Sequence, residues 1–198
     1  MNTTEKERFI SMLASCNRPN MNNVISNLEQ LGFFNAPAST RFHLNTPGGL
    51  LTHSLAVLDT AAAIWSQFTA ASPELQEKMP YESVIVAALL HDICKAEIYK
   101  ESYRNQKIDG VWQQVKVYEP DYSQCPLGHG EKSVILLLQW GLPLTEAEMC
   151  AIRWHMGAWD INMNGADAKG NISAAQQKHP LVTLLQAADM AATHIFGK

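Results

Sequence analysis

Residues 84 to 95, VIVAALLHDICK, form an apolar run that ends abruptly in two adjacent side chains able to bind a metal, with a lysine close behind. Val84, Ile85, Val86, Ala87, Ala88, Leu89 and Leu90 are apolar on every side of a helical projection, which is the pattern of a helix buried in the middle of a domain. His91 and Asp92 therefore stand at the end of a core element. A buried carboxylate is costly unless a cation or strong hydrogen bonds compensate it, so the pair calls for a partner. A divalent metal is the most economical one.

An isolated His-Asp dipeptide more often marks a satisfied core histidine and a local cap. The rest of the chain argues otherwise. Leu50, His53, Val57, Ala61, Ile64 and Phe68 recur at three- and four-residue spacing, which turns His53 inward. His129 sits near the start of an apolar helix. Along a further helix Glu148, Ile152 and His155 share a face, and near the C-terminus Leu181, Leu185, Asp189 and Ala192 share another.

In order, His53, His91, Asp92, His129, His155 and Asp189 resemble the HD-domain metal-dependent phosphohydrolases, and HDICK is similar to the HDxGK form of that superfamily. The resemblance covers roughly residues 48 to 192, with boundaries good to a few residues. It implies an all-α HD-domain helical bundle in which His53, His91, Asp92 and Asp189 hold one ion. In the two-metal branch the aspartate of the HD pair bridges two ions. His129 and His155 match the positions that complete the second site, so a dinuclear centre is expected, with a mononuclear version open.

Imidazole and carboxylate ligands suit Mn, Fe, Co, Ni or Zn. The expected reaction is cleavage of a phosphate ester of a nucleotide or short oligonucleotide by a metal-activated water. Asp92 and Lys95 are the candidate catalytic residues. Lys95, at i+4 from His91, would stabilise phosphoryl oxygens or the leaving group; its plainer role is to satisfy the final carbonyls of the helix. Cys94 stands where the HDxGK form has glycine, which puts the local backbone shape in question. Two other functions are compatible with the same ligands, a di-iron HD-type oxygenase and a catalytically silent nucleotide-binding HD module. The Gly-Tyr-Pro motif of the cyclic-di-GMP enzymes is absent. The stretch TRFHLNTPGGLLTHSL looks more like the 3'-to-5' exoribonuclease branch, although that branch's β-barrel has no counterpart here.

At 198 residues, 46% hydrophobic and 17% charged, the chain has a globular composition and the length of one domain with a substantial core. Its net charge of -4 and isoelectric point near 5.9 lack the basic bias of a protein that grips long nucleic acid. A small phosphorylated, nucleotide-like partner fits better. MNTTEKERF is too polar for a signal peptide, and no apolar run approaches a membrane span. Cys16, Cys94, Cys125 and Cys150 lack paired spacing and read as reduced thiols of a cytoplasmic protein.

Residues 1 to 32 are expected to form two scaffold helices, the first opened by a Thr4/Glu7 capping box and the second closed by Gly32. The loop over 33 to 49 carries Arg41 and His43, candidates for phosphate contact. Thr46 and Pro47 predict the start of the next helix, and Ser83 a cap for the one after. Residues 97 to 128 form an insertion whose Asp109-Gly110 turn predicts a β-hairpin near 102 to 118. This flap would carry Tyr99, Tyr103, Arg104, Trp112 and Lys116, with Arg104 a candidate substrate contact. Thr145 with Glu148 gives another capping box. Residues 157 to 178 read as a polar surface loop whose Trp159 and Asp160 border a pocket, and His179 and His194 fall outside the site.

Overall fold

The computed structural model describes residues 3–159 and 165–198. Ten helices and one hairpin are present among them: α1 (Thr3–Ser15), α2 (Met21–Leu31), α3 (Gly49–Ala71), α4 (Leu75–Lys78), α5 (Tyr81–Leu90), α6 (Lys95–Ile98), β1 (Tyr99–Ile108), β2 (Val111–Pro120), α7 (His129–Gln139), α8 (Glu146–Trp154), α9 (Ala166–Lys178) and α10 (Pro180–His194). The architecture is the expected all-α bundle with one antiparallel hairpin. No helix among the described residues is long and apolar enough to cross a membrane.

The centre of the bundle is α5, whose residues from Ser83 to Leu90 are all buried. It packs against α3 and α8, while α10 lies against α3 and α8 and closes the ring. Burying a leucine or isoleucine of this kind contributes about 1.5–3 kcal/mol each, so the apolar run predicted to be central is also where much of the stability resides. α1 and α2 cover one side, α2 through Met21, Val24 and Leu28 and α1 through Phe9, whose ring lies 5.1 Å from that of Phe33 and 5.6 Å from that of Phe34. Gly32 ends α2 in the left-handed conformation, as expected.

Several helix starts differ from the sequence reading. Thr4 lies inside α1 and not at its cap. α3 begins at Gly49, two residues beyond Pro47, because Gly48 takes a φ of 81° and the Gly49 amide donates to the Thr46 carbonyl oxygen. A Cβ on Gly49 would stand 2.0 Å from the Leu44 carbonyl oxygen, so the glycine pair, more than the threonine hydroxyl, sets this start. α5 starts directly after Pro80, which places Ser83 within the helix, beside the Arg18 guanidinium.

The segment 157 to 178 is not one long loop: a short 3-10 turn at Gly157–Trp159 is followed, from Ala166, by α9, which buries Ile172 and Ala175. Its glycine and asparagine mask a helix built largely on alanine and glutamine, both good helix formers. Asp160 lies outside the described residues. The hairpin is longer than predicted, since pairing runs from Tyr99 opposite Pro120 to Ile108 opposite Val111. Its turn has positive φ at both Asp109 and Gly110, which matches the right-handed twist of the strands.

Candidate metal centre

Five helical segments deliver six side chains to one place. His53 comes from the buried face of α3, His91 and Asp92 from the turn after α5, His129 from the first residue of α7, His155 from the end of α8 and Asp189 from α10. Asp92 is the hub. Its Oδ2 lies 3.2 Å from His91 Nε2, 3.7 Å from His53 Nε2 and 2.5 Å from Lys95 Nζ. Its Oδ1 lies 3.4 Å from His155 Nε2 and 3.8 Å from His129 Nε2. Asp189 Oδ1 approaches His53 Nε2 to 3.2 Å, and the His129 and His155 Nε2 atoms are 3.2 Å apart.

The orientation of three rings is set by backbone carbonyls, two of them local. His91 and His155 cap the C-terminal ends of α5 and α8, where helix carbonyls have no intrahelical partner. Each ring satisfies the carbonyl three residues back: Nδ1 of His91 meets Ala88 O at 2.9 Å, and Nδ1 of His155 meets Ile152 O at 2.7 Å. His53 Nδ1 meets the Lys198 carbonyl oxygen at 2.9 Å. A carbonyl only accepts, so each Nδ1 carries a hydrogen and each ring turns its Nε2 toward the centre, where an unprotonated nitrogen offers a lone pair. Lone pairs of imidazole and carboxylate thus face one another. Despite the short separations, His53 Nε2, His91 Nε2 and Asp92 Oδ1 are buried without a hydrogen-bond partner. A divalent cation resolves this arrangement, and the nitrogen and oxygen donor set fits Mn, Fe, Co, Ni or Zn.

Two triads are close enough to share an ion, His53 with His91 and Asp189, and His91 with Asp92 and His155. His129 lies beside the second, its Nε2 3.2 Å from that of His155. Burial raises the Asp92 carboxyl, but Lys95 and His91 outweigh it and hold the group well below its ordinary range. Asp189 shifts the same way, with His53 and the other nearby imidazoles prevailing over burial. Burial and the neighbouring His155 push His129 down to about 3, which leaves its ring neutral and able to ligate.

Lys95 sits differently from the sequence reading. α5 stops at Leu90, and Lys95 opens the separate short helix α6 after a tight turn. It reaches the centre as the i+3 partner of Asp92, not along the face of a helix continuing from His91. Burial lowers its pKa but Asp92 raises it further, so the ammonium stays charged. Cys94 does not disturb the turn: its φ of -64° is ordinary helical backbone that glycine is not needed for. Burial raises its thiol to about 12, and Sγ lies 3.1 Å from the His129 carbonyl oxygen, a tie between the HD turn and the start of α7 rather than a ligand.

The helices that bring His129 and His155 together meet at a glycine. A Cβ at Gly130 would stand 2.5 Å from the Arg153 carbonyl oxygen and 3.0 Å from that of Ile152. Gly130→Ala should therefore destabilise the protein by about 1–3 kcal/mol through overpacking, against the roughly 1 kcal/mol that alanine gains over glycine in an ordinary helix. Urea unfolding measures the sign. A more stable variant would mean that α7 and α8 do not need this close approach. At the other end of α8 the Thr145/Glu148 capping box is present, and Arg18 pairs with the buried Glu148 at 2.9 and 2.6 Å.

Three of the six side chains, His53, His155 and Asp189, open into a hollow of about 620 Å³ that Phe42, His43, Lys95 and Trp159 also line. Met156, Met190, Thr193 and His194 complete its wall, and none of these four was expected. Thr193 and His194 lie one turn beyond Asp189 on α10, a spacing that could have found them. His43 is pushed down to about 4 by burial and by His53. Arg41 and Arg104 do not line this hollow; they line a second one between the loop and the hairpin.

A family model for the HD domain matches residues 50–193, a span that contains all six side chains. The chain belongs to the HD-domain family. HD domains bind divalent metals and are commonly metal-dependent phosphohydrolases, and some are catalytically silent. Comparison with curated proteins and with solved structures gave no significant match. Within this HD domain the hairpin, α6 and the turn after α5 form one continuous piece of chain, so the insertion begins immediately beside Lys95.

Proposed function

We propose that this HD domain is a phosphohydrolase that cleaves a phosphate ester of a nucleotide or short oligonucleotide, with two divalent ions held by His53, His91, Asp92, His129, His155 and Asp189. The reading rests on one observation above the others, the division of the Asp92 carboxylate. One oxygen faces His53 and His91, the other faces His129 and His155, as a bridging ligand would require. Divalent ions bound there would acidify water and neutralise phosphoryl oxygens.

The chain's own groups supply the rest. Lys95 places a permanent cation at the wall of the hollow, beside the carboxylate that orients it. His43, neutral across the physiological range, offers a ring nitrogen that is buried and unpartnered and lies in the same hollow. Both are placed for phosphoryl or leaving-group oxygens. Water adds to phosphorus as the ester P–O bond breaks, and the departing oxygen keeps the electron pair and takes up a proton.

The test begins with protein stripped by a chelator and reloaded with Mn, Fe, Co, Ni or Zn singly. Nucleoside monophosphates, dinucleotides and short oligonucleotides are then offered as substrates. At least one metal should restore ester hydrolysis that the stripped protein lacks. Oxygen uptake by the iron form without hydrolysis would replace this reading with an oxygenase, and nucleotide binding without turnover under every metal would replace it with a silent module.

A further inference from the structure

The loop of residues 40 to 45 separates two hollows. Phe42 and His43 line the metal hollow, while Arg41 and Asn45 face Arg104, Asn105 and Gln106 of β1 across a second hollow of about 390 Å³. Arg41 and Phe42 are consecutive, with Cα atoms about 3.8 Å apart, so the two hollows lie back to back across a narrow strip of chain.

The second hollow is locally basic in an acidic molecule. The chain carries a net charge of -4, yet this surface is lined by two guanidinium groups, with the carboxylate of Glu119 beside them as their one acidic neighbour among the described lining and paired groups. Among the described residues, the side chains of Arg41, Asn45, Asn105 and Gln106 make no hydrogen bond, which leaves their donors available. Arg104 is held from one side only: its Nε donates to Glu119 Oε1 at 2.8 Å, and the same oxygen takes its second donor. Glu119 therefore fixes the guanidinium plane and leaves its other edge open. Paired guanidinium groups match phosphate oxygens, and amide side chains match the mixed donors and acceptors of heterocycle edges. Next door, Phe42 at 79% and Trp159 at 70% exposure present bare ring faces at the metal hollow, suited to stacking a base.

We infer that the second hollow is a subsite for the next phosphodiester and base of a short single-stranded oligonucleotide whose scissile phosphate occupies the metal hollow. The inference rests on the phosphohydrolase reading and sharpens it, from any nucleotide ester to a chain of at least two linked nucleotides. Arg41 and Arg104 hold the second phosphate, and the amides of Asn45, Asn105 and Gln106 meet the base.

Calorimetric titration of the purified protein with phosphorothioate-linked triadenylate and with adenosine 5'-thiophosphate, both resistant to hydrolysis, tests this directly. The trinucleotide should bind at least about tenfold more tightly, as expected of charge-assisted hydrogen bonds to one further phosphate. The variant Arg41→Ala with Arg104→Ala should lose that advantage, and each substitution should flatten the logarithmic salt dependence by about 0.7. Glu119→Gln, which removes the competing carboxylate, should tighten trinucleotide binding. Equal affinity for the two probes, or an advantage that survives the double substitution, overturns the subsite. Failure of the phosphohydrolase reading looks different: the trinucleotide advantage persists, and no metal supports hydrolysis.

Discussion

Replacing Asp92 with alanine is expected to empty both halves of the centre, reducing bound metal to background by elemental analysis. The two oxygens of this one carboxylate face different imidazole pairs, so its loss removes a ligand from both sides at once. It also strips the largely buried Lys95 of its partner at 2.5 Å. Removing one member of a buried ion pair destabilises by about 3–5 kcal/mol, so alanine could compromise folding along with ligation. Asp92→Asn separates the two effects, because it keeps the volume and one oxygen while losing the charge that would join two ions. A folded Asp92→Asn variant that still retains two tightly bound ions would show that the carboxylate does not bridge.

Lys95→Ala should leave the metal content unchanged and lower turnover by roughly two to three orders of magnitude, the scale associated with one preorganised transition-state donor. The ammonium is a poor ligand and contacts the centre only through Asp92, so ion binding does not depend on it. With ions in place, Asp92 has other positive charge to face, and the variant should fold normally; stripped of metal it should melt at lower temperature than the equally stripped parent. Lys95→Arg should recover part of the rate, since a planar fork cannot occupy the position of a compact ammonium. Parent-like hydrolysis by Lys95→Ala would return the residue to a structural role in the turn after α5, with the phosphate held by other groups such as His43.

The clustering of the six side chains was legible because most of them interrupt a regular apolar pattern. His53 among Leu50 and Val57, and Asp189 among Leu185 and Ala192, are polar residues at positions where periodicity demands core, and both are buried. Orientation was less legible. That His91 and His155 point Nε2 inward follows from capping carbonyls at helix ends, and the sequence reading extended the helix past His91 to Lys95, which concealed that end. Tertiary partners were not legible at all. Lys132, buried on α7, bonds the Gln124 carbonyl oxygen at 2.7 Å and Glu97 at 2.5 Å, tying both ends of the insertion to the bundle, and no local pattern distinguishes it from a solvated lysine. The same holds for α9, where a polar composition concealed a helix with only two buried side chains.

Calorimetric titration of chelator-stripped protein with Mn, Fe, Co, Ni and Zn in turn tests the central claim, that the facing lone pairs of this HD domain form a metal site. Saturable binding of two ions per chain is the predicted result, accompanied by a rise in melting temperature, since an ion at a hundred times its Kd stabilises the folded state by about 2.7 kcal/mol. One ion per chain would contradict the dinuclear assignment and confine ligation to a single side of Asp92. No saturable binding of any of the five metals would contradict the account at its root.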